Sequence, residues 1–305
     1  MSTDAVVGPA ARAQRGRAVA ASATTSRHRI RRASRLGGSV VLNVVLYALA
    51  FACAFPFLWM LATALKPENN ALTNQFFFGY HLTWSNFGQA WHFFPFGRYM
   101  VNSFIYSFGG VLVVLAASTT AGYAFARLDF PWRERLFSLY VATLLVPATV
   151  TVIPLFLLSR QLHIYNTYFG LIFPVSFSAF GTFFMRQFFR TLPEELRDSA
   201  KIDGASEWWI FVRVMLPLCR AGAAVLAVFT FIFYWGDFLW PLIVTQNQNL
   251  YTLNLGLSEF QSQYGGYWSY MMAGCVLTVL PAIILVISLQ KYLVKGLAFS
   301  SFGGR

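Results

Sequence analysis

The run SVVLNVVLYALAFACAFPFLWMLATAL, at positions 39–65, contains no charged side chain in 27 residues. A helix needs about 20 mostly apolar residues to cross a hydrocarbon layer about 30 Å thick. The run is also longer than the apolar core of a cleaved signal peptide, which has about 7–15 residues. We therefore expect a transmembrane helix that is retained in the mature protein.

The composition of the whole chain agrees with a membrane protein. Hydrophobic residues make up 57% of its 305 positions and charged residues 11%, whereas an ordinary soluble domain has about 25% charged residues. With so few charged residues, much of the protein's exterior must face something other than water. The composition argues against a soluble enzyme, a nucleic-acid-binding protein and a disordered tail protein, and no nucleic-acid partner is expected.

Five further runs are long and apolar enough to span a bilayer, at positions 99–125, 136–158, 170–189, 221–245 and 269–292. With the first run they predict an all-α, polytopic membrane protein with six transmembrane helices. Pro147 and Pro154 lie in the third span, and Pro174 and Gly181 interrupt the fourth. Proline is tolerated in membrane helices where neighbouring groups satisfy the freed carbonyls. These prolines either bend the helices around a cavity or make simple packing kinks, and we expect packing kinks.

The positive charges lie mainly on one side of the predicted spans. Of the 23 Lys and Arg residues, all but Lys66, Arg98 and Arg160 fall on the side that also holds both termini. The positive-inside rule therefore predicts that both termini are cytoplasmic. The predicted domains are a disordered basic leader at 1–38, a six-helix transmembrane domain at 39–297 and a short cytoplasmic tail at 298–305.

The predicted external loops, at 66–98 and 246–268, are rich in Asn, Gln, Gly and aromatic residues. Aromatic residues near span ends often anchor helices at the membrane interface. The same residue types also suit a docking surface for a partner or a polyol. The sequence leaves both interpretations open.

A cytoplasmic segment at 191–220, TLPEELRDSAKIDGASEWWIFVRVMLPLCR, predicts two short helices joined at a glycine. We expect Thr191 to cap the first helix, which runs up to the residue before Gly204. Gly204 permits a turn, and the second helix is predicted from Ser206 to about Pro217. Small residues around the bend allow another protein to approach closely. The segment is either a knob for a partner or a plain interfacial hairpin anchored by its tryptophans.

The segment resembles the EAA loop of bacterial ABC importer permeases, whose pattern is Glu-Ala-Ala, three residues, Gly, about nine residues and Ile-x-Leu-Pro. The matching residues are Asp198-Ser199-Ala200, Gly204 and Val214-Met215-Leu216-Pro217. Asp198 replaces the family's Glu and Ser199 its first Ala, which preserves charge and small size. In that family the bent segment is the coupling helix, seated in a cleft of a separate ATP-binding subunit. The resemblance implies these coupling residues: Asp198, Ser199, Ala200, Asp203, Gly204, Ala205, Leu216 and Pro217.

Further stretches are similar to maltose-transporter-type permeases, namely Asn102-Ser103 and positions 121–127, 235–242 and 290–297. This resemblance implies the type I ABC importer permease fold in a bacterial inner membrane. It also implies import of a sugar or oligosaccharide by alternating access. The implied partners are a second permease subunit, two ATP-binding subunits and an extracytoplasmic solute-binding protein.

The chain contains no GxxxxGK[ST] phosphate loop, so ATP and Mg²⁺ are expected in the partner ATPase and no cofactor is expected in this chain. The chain is therefore not expected to be an enzyme. Two alternatives stay open: an importer of the same type for glycerol phosphate or another polyol, and an ion-coupled secondary transporter. The second alternative needs charges within the spans, where Asp237 is the only acid.

Asp237 also marks a candidate substrate path. At helical spacing, one stripe of the fifth predicted span contains Thr230, Tyr234, Asp237 and Trp240. A carboxylate that binds hydroxyl groups and aromatic rings that pack on a sugar ring make this stripe suitable for a sugar. The alternative is that Asp237 pairs with a neighbouring helix or loop and braces the fold.

The cysteine and histidine residues do not indicate a metal site. The three cysteines are scattered without a CxxC pair, and no two of the four histidines have ligand spacing. We expect the cysteines to be small packing residues and the chain to bind no metal.

Overall fold

The computed structural model describes residues 41–68, 71, 81–93, 95–264 and 266–302. Within these ranges the regular structure is entirely helical. The leader predicted at 1–38 lies outside the described residues. The helices are α1 Val41–Ala64, α2 Ser85–Phe93, α3 Phe96–Arg127, α4 Arg133–Ala142, α5 Ala148–Gln161, α6 Tyr168–Ile172, α7 Ala179–Arg190, α8 Glu195–Ile202, α9 Glu207–Ile210, α10 Leu216–Leu218, α11 Arg220–Gly236, α12 Leu239–Val244, α13 Leu253–Tyr264 and α14 Trp268–Phe302.

Three of these helices, α1, α3 and α14, are long and apolar enough to cross a bilayer. Three bent pairs of helices also qualify when their limbs are joined, so the described chain has up to six spans. The all-helical membrane fold is thus confirmed. α14 continues to Phe302, past position 297, where the sequence placed the end of the transmembrane domain.

The chain divides into two compact units, Met1–Trp59 and Met60–Arg305. In the first unit the described residues form most of α1, and their side chains are exposed. Phe51, Phe55 and Trp59 contact one another along this helix, with ring centroids 6.1 and 6.3 Å apart. An exposed helix that is apolar on all sides is suited to a lipid environment.

The third predicted span is broken, not kinked. α4 ends at Ala142, a 3₁₀ turn covers Thr143–Leu145, and α5 starts after Pro147 at 102° to the first limb. Proline lacks an N–H, and its ring forces the preceding residue out of the helical region. Val146 accordingly has a ψ of 118°. Pro154 lies inside α5 without ending it, so the expectation of a simple kink is wrong at Pro147.

The fourth predicted span is bent by 54° between α6 and α7. Pro174 lies in the 3₁₀ turn Phe173–Val175, which accommodates its fixed φ. α7 starts after Ser178, whose hydroxyl accepts a hydrogen bond from the Gly181 N–H at 3.0 Å. Gly181 therefore belongs to the first turn of α7 and does not interrupt the helix, contrary to the sequence-based expectation.

The fifth predicted span ends earlier than expected. α11 stops at Gly236, and Asp237 has an extended backbone with φ −68° and ψ 134°. The short helix α12 then begins at Leu239. At its other end, α11 meets the limb Glu207–Leu218 at 77°. Because this limb leaves the axis of α11 and carries charged side chains, we assign only α11 to the span.

α3 is the centre of the second unit and packs most extensively against α7 and α11. Glycines bring α3 and α7 close together. A Cβ atom at Gly122 would lie 2.9 Å from the Arg186 backbone nitrogen, and one at Gly181 would overlap the Ser118 hydroxyl. Because glycine has no side chain, the two helix backbones approach closely at these points.

We expect Gly122→Ala to destabilise the bundle. The added methyl group meets a backbone nitrogen and the Met185 Cβ, both at 2.9 Å, so α7 must shift. Overpacking of this kind costs about 1–3 kcal/mol, which is measurable as a lower unfolding temperature of the detergent-solubilised protein. Gly88→Ala in α2 is the control, because no described atom lies within 4 Å of its added Cβ. Equal stability of the two variants would contradict the close α3–α7 contact.

Candidate coupling site

Two short helices and a turn form an elbow, residues 195–218, between α7 and α11. The first helix ends at a turn in which Gly204 has a φ of 82°, a conformation that residues with a Cβ rarely adopt. Ser206 begins the second helix, and its hydroxyl accepts a hydrogen bond from the Trp209 N–H at 3.3 Å. The glycine turn and the start of the second helix are as the sequence predicted.

The connection into the elbow differs from the prediction. Thr191 does not cap α8. It follows the last turn of α7, and its hydroxyl donates to the Phe188 carbonyl at 2.8 Å. α8 begins at Glu195 with no side-chain cap. The second helix of the elbow contains a π-helical turn, Phe211–Met215, and ends at Leu218.

The second helix of the elbow is anchored in an apolar core. Ile210, Phe211 and Met215 are buried in this core with residues of α3 and α7. The Phe211 ring lies 5.1 Å from the Tyr123 ring on α3, and the Tyr123 ring lies 5.5 Å from the Phe189 ring on α7. Burying a large apolar side chain contributes about 1.5–3 kcal/mol. The apolar core therefore holds this half of the elbow to the bundle.

The first helix of the elbow is exposed. None of the α8 residues is buried, and Ile202 is 87% exposed. A shallow depression beside the turn brings together five of the eight predicted coupling residues, Ser199, Ala200, Asp203, Gly204 and Ala205. Asp198 is exposed on the same helix, outside this depression. Leu216 packs beside the apolar core, and Pro217 is exposed at the far end of the elbow.

Glu207 connects three helices through one carboxylate. Its Oε1 accepts hydrogen bonds from Arg197 Nη2 at 2.5 Å and from Lys201 Nζ at 2.6 Å, both on α8. Its Oε2 accepts a hydrogen bond from the Tyr123 hydroxyl on α3 at 2.8 Å. Burial on its own raises the pKa of the Glu207 carboxyl, but the hydrogen bonds from its three partners outweigh burial and lower the pKa to about 2. The carboxylate is therefore charged at physiological pH.

Arg127 closes the end of α7. Its buried guanidinium donates to the Phe189 carbonyl at 2.7 Å and to the Leu192 carbonyl, and it pairs with Glu194 at 3.2 Å. Carbonyls in the last turn of a helix lack partners within the helix, and a cation compensates for both the missing bonds and the negative potential.

Sequence reasoning did not find the roles of Glu207 and Arg127. Arg127 and its partner Phe189 are 62 residues apart, and Glu207 and its partner Tyr123 are 84 residues apart. Local patterns do not reveal pairs at this separation. The one signal was that Arg127 ends the stretch 121–127, which resembles maltose-transporter-type permeases.

The four predicted substrate-path residues do not form one stripe of a single helix. The helix break after Gly236 separates them: Thr230 and Tyr234 lie on α11, Asp237 lies in the break, and Trp240 lies on α12. Asp237 is half-buried and the other three are buried. The expectation of a continuous stripe is wrong because the backbone at Asp237 leaves the helical conformation.

Three of these residues make polar contacts where helices end or bend. The Tyr234 hydroxyl donates to a carbonyl in the bend between α6 and α7, and Trp240 Nε1 donates to a carbonyl near the end of α6, both at 3.0 Å. The Asp237 carboxylate faces the backbone N–H groups at the start of α12. It accepts a hydrogen bond from the Tyr106 hydroxyl on α3 at 2.6 Å. This geometry favours the bracing role of Asp237 that the sequence left as an alternative.

At the opposite end of α3, much of the predicted external loop at 246–268 is folded into the bundle. α13 packs against α3 and α14, and its Leu253, Leu255 and Phe260 side chains are buried. The Asn102 amide on α3 donates to two backbone carbonyls of this loop, at 2.8 and 2.9 Å. Less of the loop is therefore available for docking than its composition suggested.

No group of three or more His, Cys, Asp or Glu side chains in the described ranges is placed to hold a metal ion. Cys53, Cys219 and Cys275 are free thiols. Cys219 is buried in the apolar core at the base of the elbow, where it acts as a small packing residue.

Apolar spans, several of them bent, with an exposed two-helix elbow at one end of the central helix suit a membrane transport permease. Residues 114–299 match the model of one such family, the binding-protein-dependent transport system inner membrane components, and the chain belongs to this family. The family is a transport component and not a catalytic one.

Two relatives and one solved structure illustrate the family. The arabinooligosaccharides transport system permease protein AraQ of Halalkalibacterium halodurans is 34% identical over 276 residues, which cover 87% of this chain and 97% of AraQ. The sn-glycerol-3-phosphate transport system permease protein UgpE of Yersinia pestis is 35% identical over 230 residues, which cover 73% of this chain and 82% of UgpE.

The solved structure is a bacterial ABC transporter involved in the import of the acidic polysaccharide alginate. One of its chains superposes with a TM-score of 0.77 at 21% identity, covering 86% of this chain and 98% of that chain. The likeness shows the fold, which is that of an ABC importer permease, as the sequence resemblance implied.

We expect Tyr106→Phe to lower the unfolding temperature of the purified protein. The change removes the donor to Asp237 and keeps the aromatic ring, which packs 4.8 Å from the Tyr234 ring. Loss of a hydrogen bond to a charged group costs about 1.5–3 kcal/mol. Tyr47→Phe is the control, because Tyr47 is 78% exposed on α1. If both variants unfold at the temperature of the parent, Asp237 does not brace the bundle through Tyr106.

Proposed function

We propose that this chain is the membrane-spanning permease subunit of an ATP-driven, binding-protein-dependent importer for a sugar or oligosaccharide. The observation that carries the proposal is the exposed elbow, whose tip has a glycine at positive φ and small neighbours. Such a surface suits close insertion into a cleft of another protein. Membership of the binding-protein-dependent family supports the same conclusion.

In this proposal a separate subunit hydrolyses ATP. The chain has no phosphate-binding loop, so ATP and Mg²⁺ bind to the partner, and the elbow seats in that partner's cleft. Closure of the ATP-binding subunits displaces the elbow, and the bundle alternates between its inward- and outward-facing states. The residues that contact the partner are those at the tip, Asp198, Ser199, Ala200, Asp203, Gly204 and Ala205, with Leu216 and Pro217 behind them.

The stoichiometry follows from the number of elbows. One chain offers one elbow, whereas two ATP-binding subunits that close on each other need one elbow each. A second permease subunit therefore completes the importer in the lipid bilayer. The name of the family supports an extracytoplasmic solute-binding protein as the partner that delivers substrate.

The orientation rests on charge. All cationic residues except Lys66, Arg98 and Arg160 lie on the side of the termini and the elbow, and the positive-inside rule assigns this side to the cytoplasm. The elbow, the basic leader at 1–38 and the tail at 298–305 then share the cytoplasmic side of the bacterial inner membrane, where ATP is available.

The relatives point to two substrate classes, a neutral oligosaccharide for AraQ and sn-glycerol 3-phosphate for UgpE. A phosphate ester is recognised by free cations. Of the three cations on the outer face, Lys66 is buried, Arg98 donates to Asn249, and Arg160 lies 6.0 Å from the centre of the Tyr165 ring. Lys66 and Arg98 are thus engaged within the chain and are not presented to a phosphate group. This favours a neutral sugar as the substrate.

We expect Gly204→Trp to uncouple transport without preventing membrane insertion. The position is open within this chain, with no described atom within 4 Å of an added Cβ, so the bulk points toward the partner, while the φ of 82° adds backbone strain that the asparagine control below separates. Overpacking costs about 1–3 kcal/mol, and uptake by the assembled transporter should fall by roughly tenfold or more. The measurement is uptake of labelled sugar into cells that express all subunits.

Two controls separate the causes of a loss. Gly204→Asn keeps a residue that tolerates positive φ and should retain more uptake than Gly204→Trp. Gly88→Trp adds the same bulk at an exposed, open glycine of α2. Normal uptake by Gly204→Trp would refute the coupling role. Solute accumulation by the reconstituted chain alone, under a proton or sodium gradient, would support the ion-coupled alternative.

We expect the complete transporter to import a neutral oligosaccharide and not glycerol phosphate. Arg160→Gln removes an exposed outer cation and should leave oligosaccharide uptake unchanged, because a neutral sugar gains little from a remote charge. The measurement is competition of each unlabelled compound against labelled substrate. Inhibition by glycerol phosphate, weakened by Arg160→Gln, would instead support the polyol phosphate alternative.

A further inference from the structure

The elbow is joined to the bundle by two connections that are not regular α-helix. The connection from α7 to α8, residues 191–194, is a short turn with largely exposed side chains, and Arg127 of α3 holds its Leu192 carbonyl and its Glu194 carboxylate. The other connection passes through the π-helical turn Phe211–Met215 and a bend of 77° before α11. π-helical turns and sharp bends are departures from the regular hydrogen-bond ladder and often occur at functional hinges. A force applied to α8 is therefore not transmitted along one continuous α-helix.

α8 has only a small apolar contact of its own, the partly buried Ala200 against the apolar core. None of its residues is buried, whereas Ile210, Phe211 and Met215 hold the second helix of the elbow in the apolar core. The exposed turn at Gly204 joins the two helices. The orientation of α8 thus depends mainly on polar contacts.

Those contacts converge on one carboxylate. Arg197 and Lys201 are one turn apart on α8, and both reach Glu207 Oε1. The Tyr123 hydroxyl on α3 holds Oε2 of the same carboxylate. These four residues, which we name the clasp, link α8, the second helix of the elbow and the central helix of the bundle.

We propose that the clasp fixes the angle of α8 and passes its displacement directly to α3, so that Glu207 and Tyr123 are positioning residues for coupling. This inference rests on the proposed function. α3 and α7 are packed closely at Gly122. Movement received through the clasp therefore moves α3 and α7 together, and it is not lost by bending at the exposed turns.

The test is Glu207→Gln in the complete transporter, reconstituted with its partner subunits and binding protein. Glutamine keeps the size of the side chain but loses the charge that orients Arg197 and Lys201. We expect normal assembly, a roughly tenfold lower uptake per assembled complex, as for loss of a hydrogen bond to a charged group, and more ATP hydrolysed per substrate imported. Glu195→Gln, the same change at an exposed position of α8, is the matched control and should leave both values unchanged.

A double-mutant cycle separates positioning from general destabilisation. Tyr123→Phe should give a smaller loss of coupling, and the double variant with Glu207→Gln should be no worse than Glu207→Gln alone, because both act through the same side chain, that of residue 207. A role limited to stability would lower the amount of assembled complex and leave the ratio of ATP to substrate unchanged. If Glu207→Gln does not assemble, the ratio for Tyr123→Phe decides the question.

The outcomes also distinguish this inference from the function on which it rests. If Gly204→Trp uncouples transport and Glu207→Gln behaves as Glu195→Gln does, the clasp proposal is wrong and the coupling role of the elbow stands. If Gly204→Trp transports normally, the coupling role itself is refuted. If Gly204→Trp and Glu207→Gln both uncouple transport, and the effects of Glu207→Gln and Tyr123→Phe are not additive, the clasp proposal is supported.

Discussion

Every backbone N–H and carbonyl group in the hydrocarbon layer needs a partner from the protein, because no water is available there. Continuous helices meet this requirement internally, but several helices of this chain end within or near the layer. At several of these helix ends and bends a side chain from elsewhere in the fold supplies a hydrogen-bond partner. Trp240 donates to a carbonyl of α6, Tyr234 donates to a carbonyl in the α6–α7 bend, and Arg127 donates to a carbonyl at the end of α7.

The same constraint explains where polar residues lie in so apolar a chain. Asp237, the acid in the predicted fifth span, lies where α11 ends and α12 begins, and Tyr106 completes its hydrogen bonding. A charge at a helix start accepts several backbone hydrogen bonds and also interacts favourably with the helix dipole. Polar groups at these positions stabilise breaks that bend the spans, and bent spans leave space that straight helices would fill.

The elbow combines a rigid base with an exposed tip. Apolar side chains anchor its second helix, and the charged carboxylate of Glu207 sets the angle of its first helix relative to α3. The tip carries small, accessible residues around Gly204, so a partner can approach the backbone. This division suits a segment that is held firmly by its own bundle and pushed by a different protein.

Composition, run length and local turn chemistry depend on neighbouring residues, so the sequence by itself determined the membrane class, the positions of the spans, the turn at Gly204 and the helix start at Ser206. The roles of Asp237, Glu207 and Arg127 depend on partners 62 to 131 residues away. Only helix packing brings such partners within hydrogen-bond distance. The tertiary structure therefore decided that the fifth span ends at Gly236, that Thr191 does not cap α8, and that one carboxylate joins the elbow to the central helix.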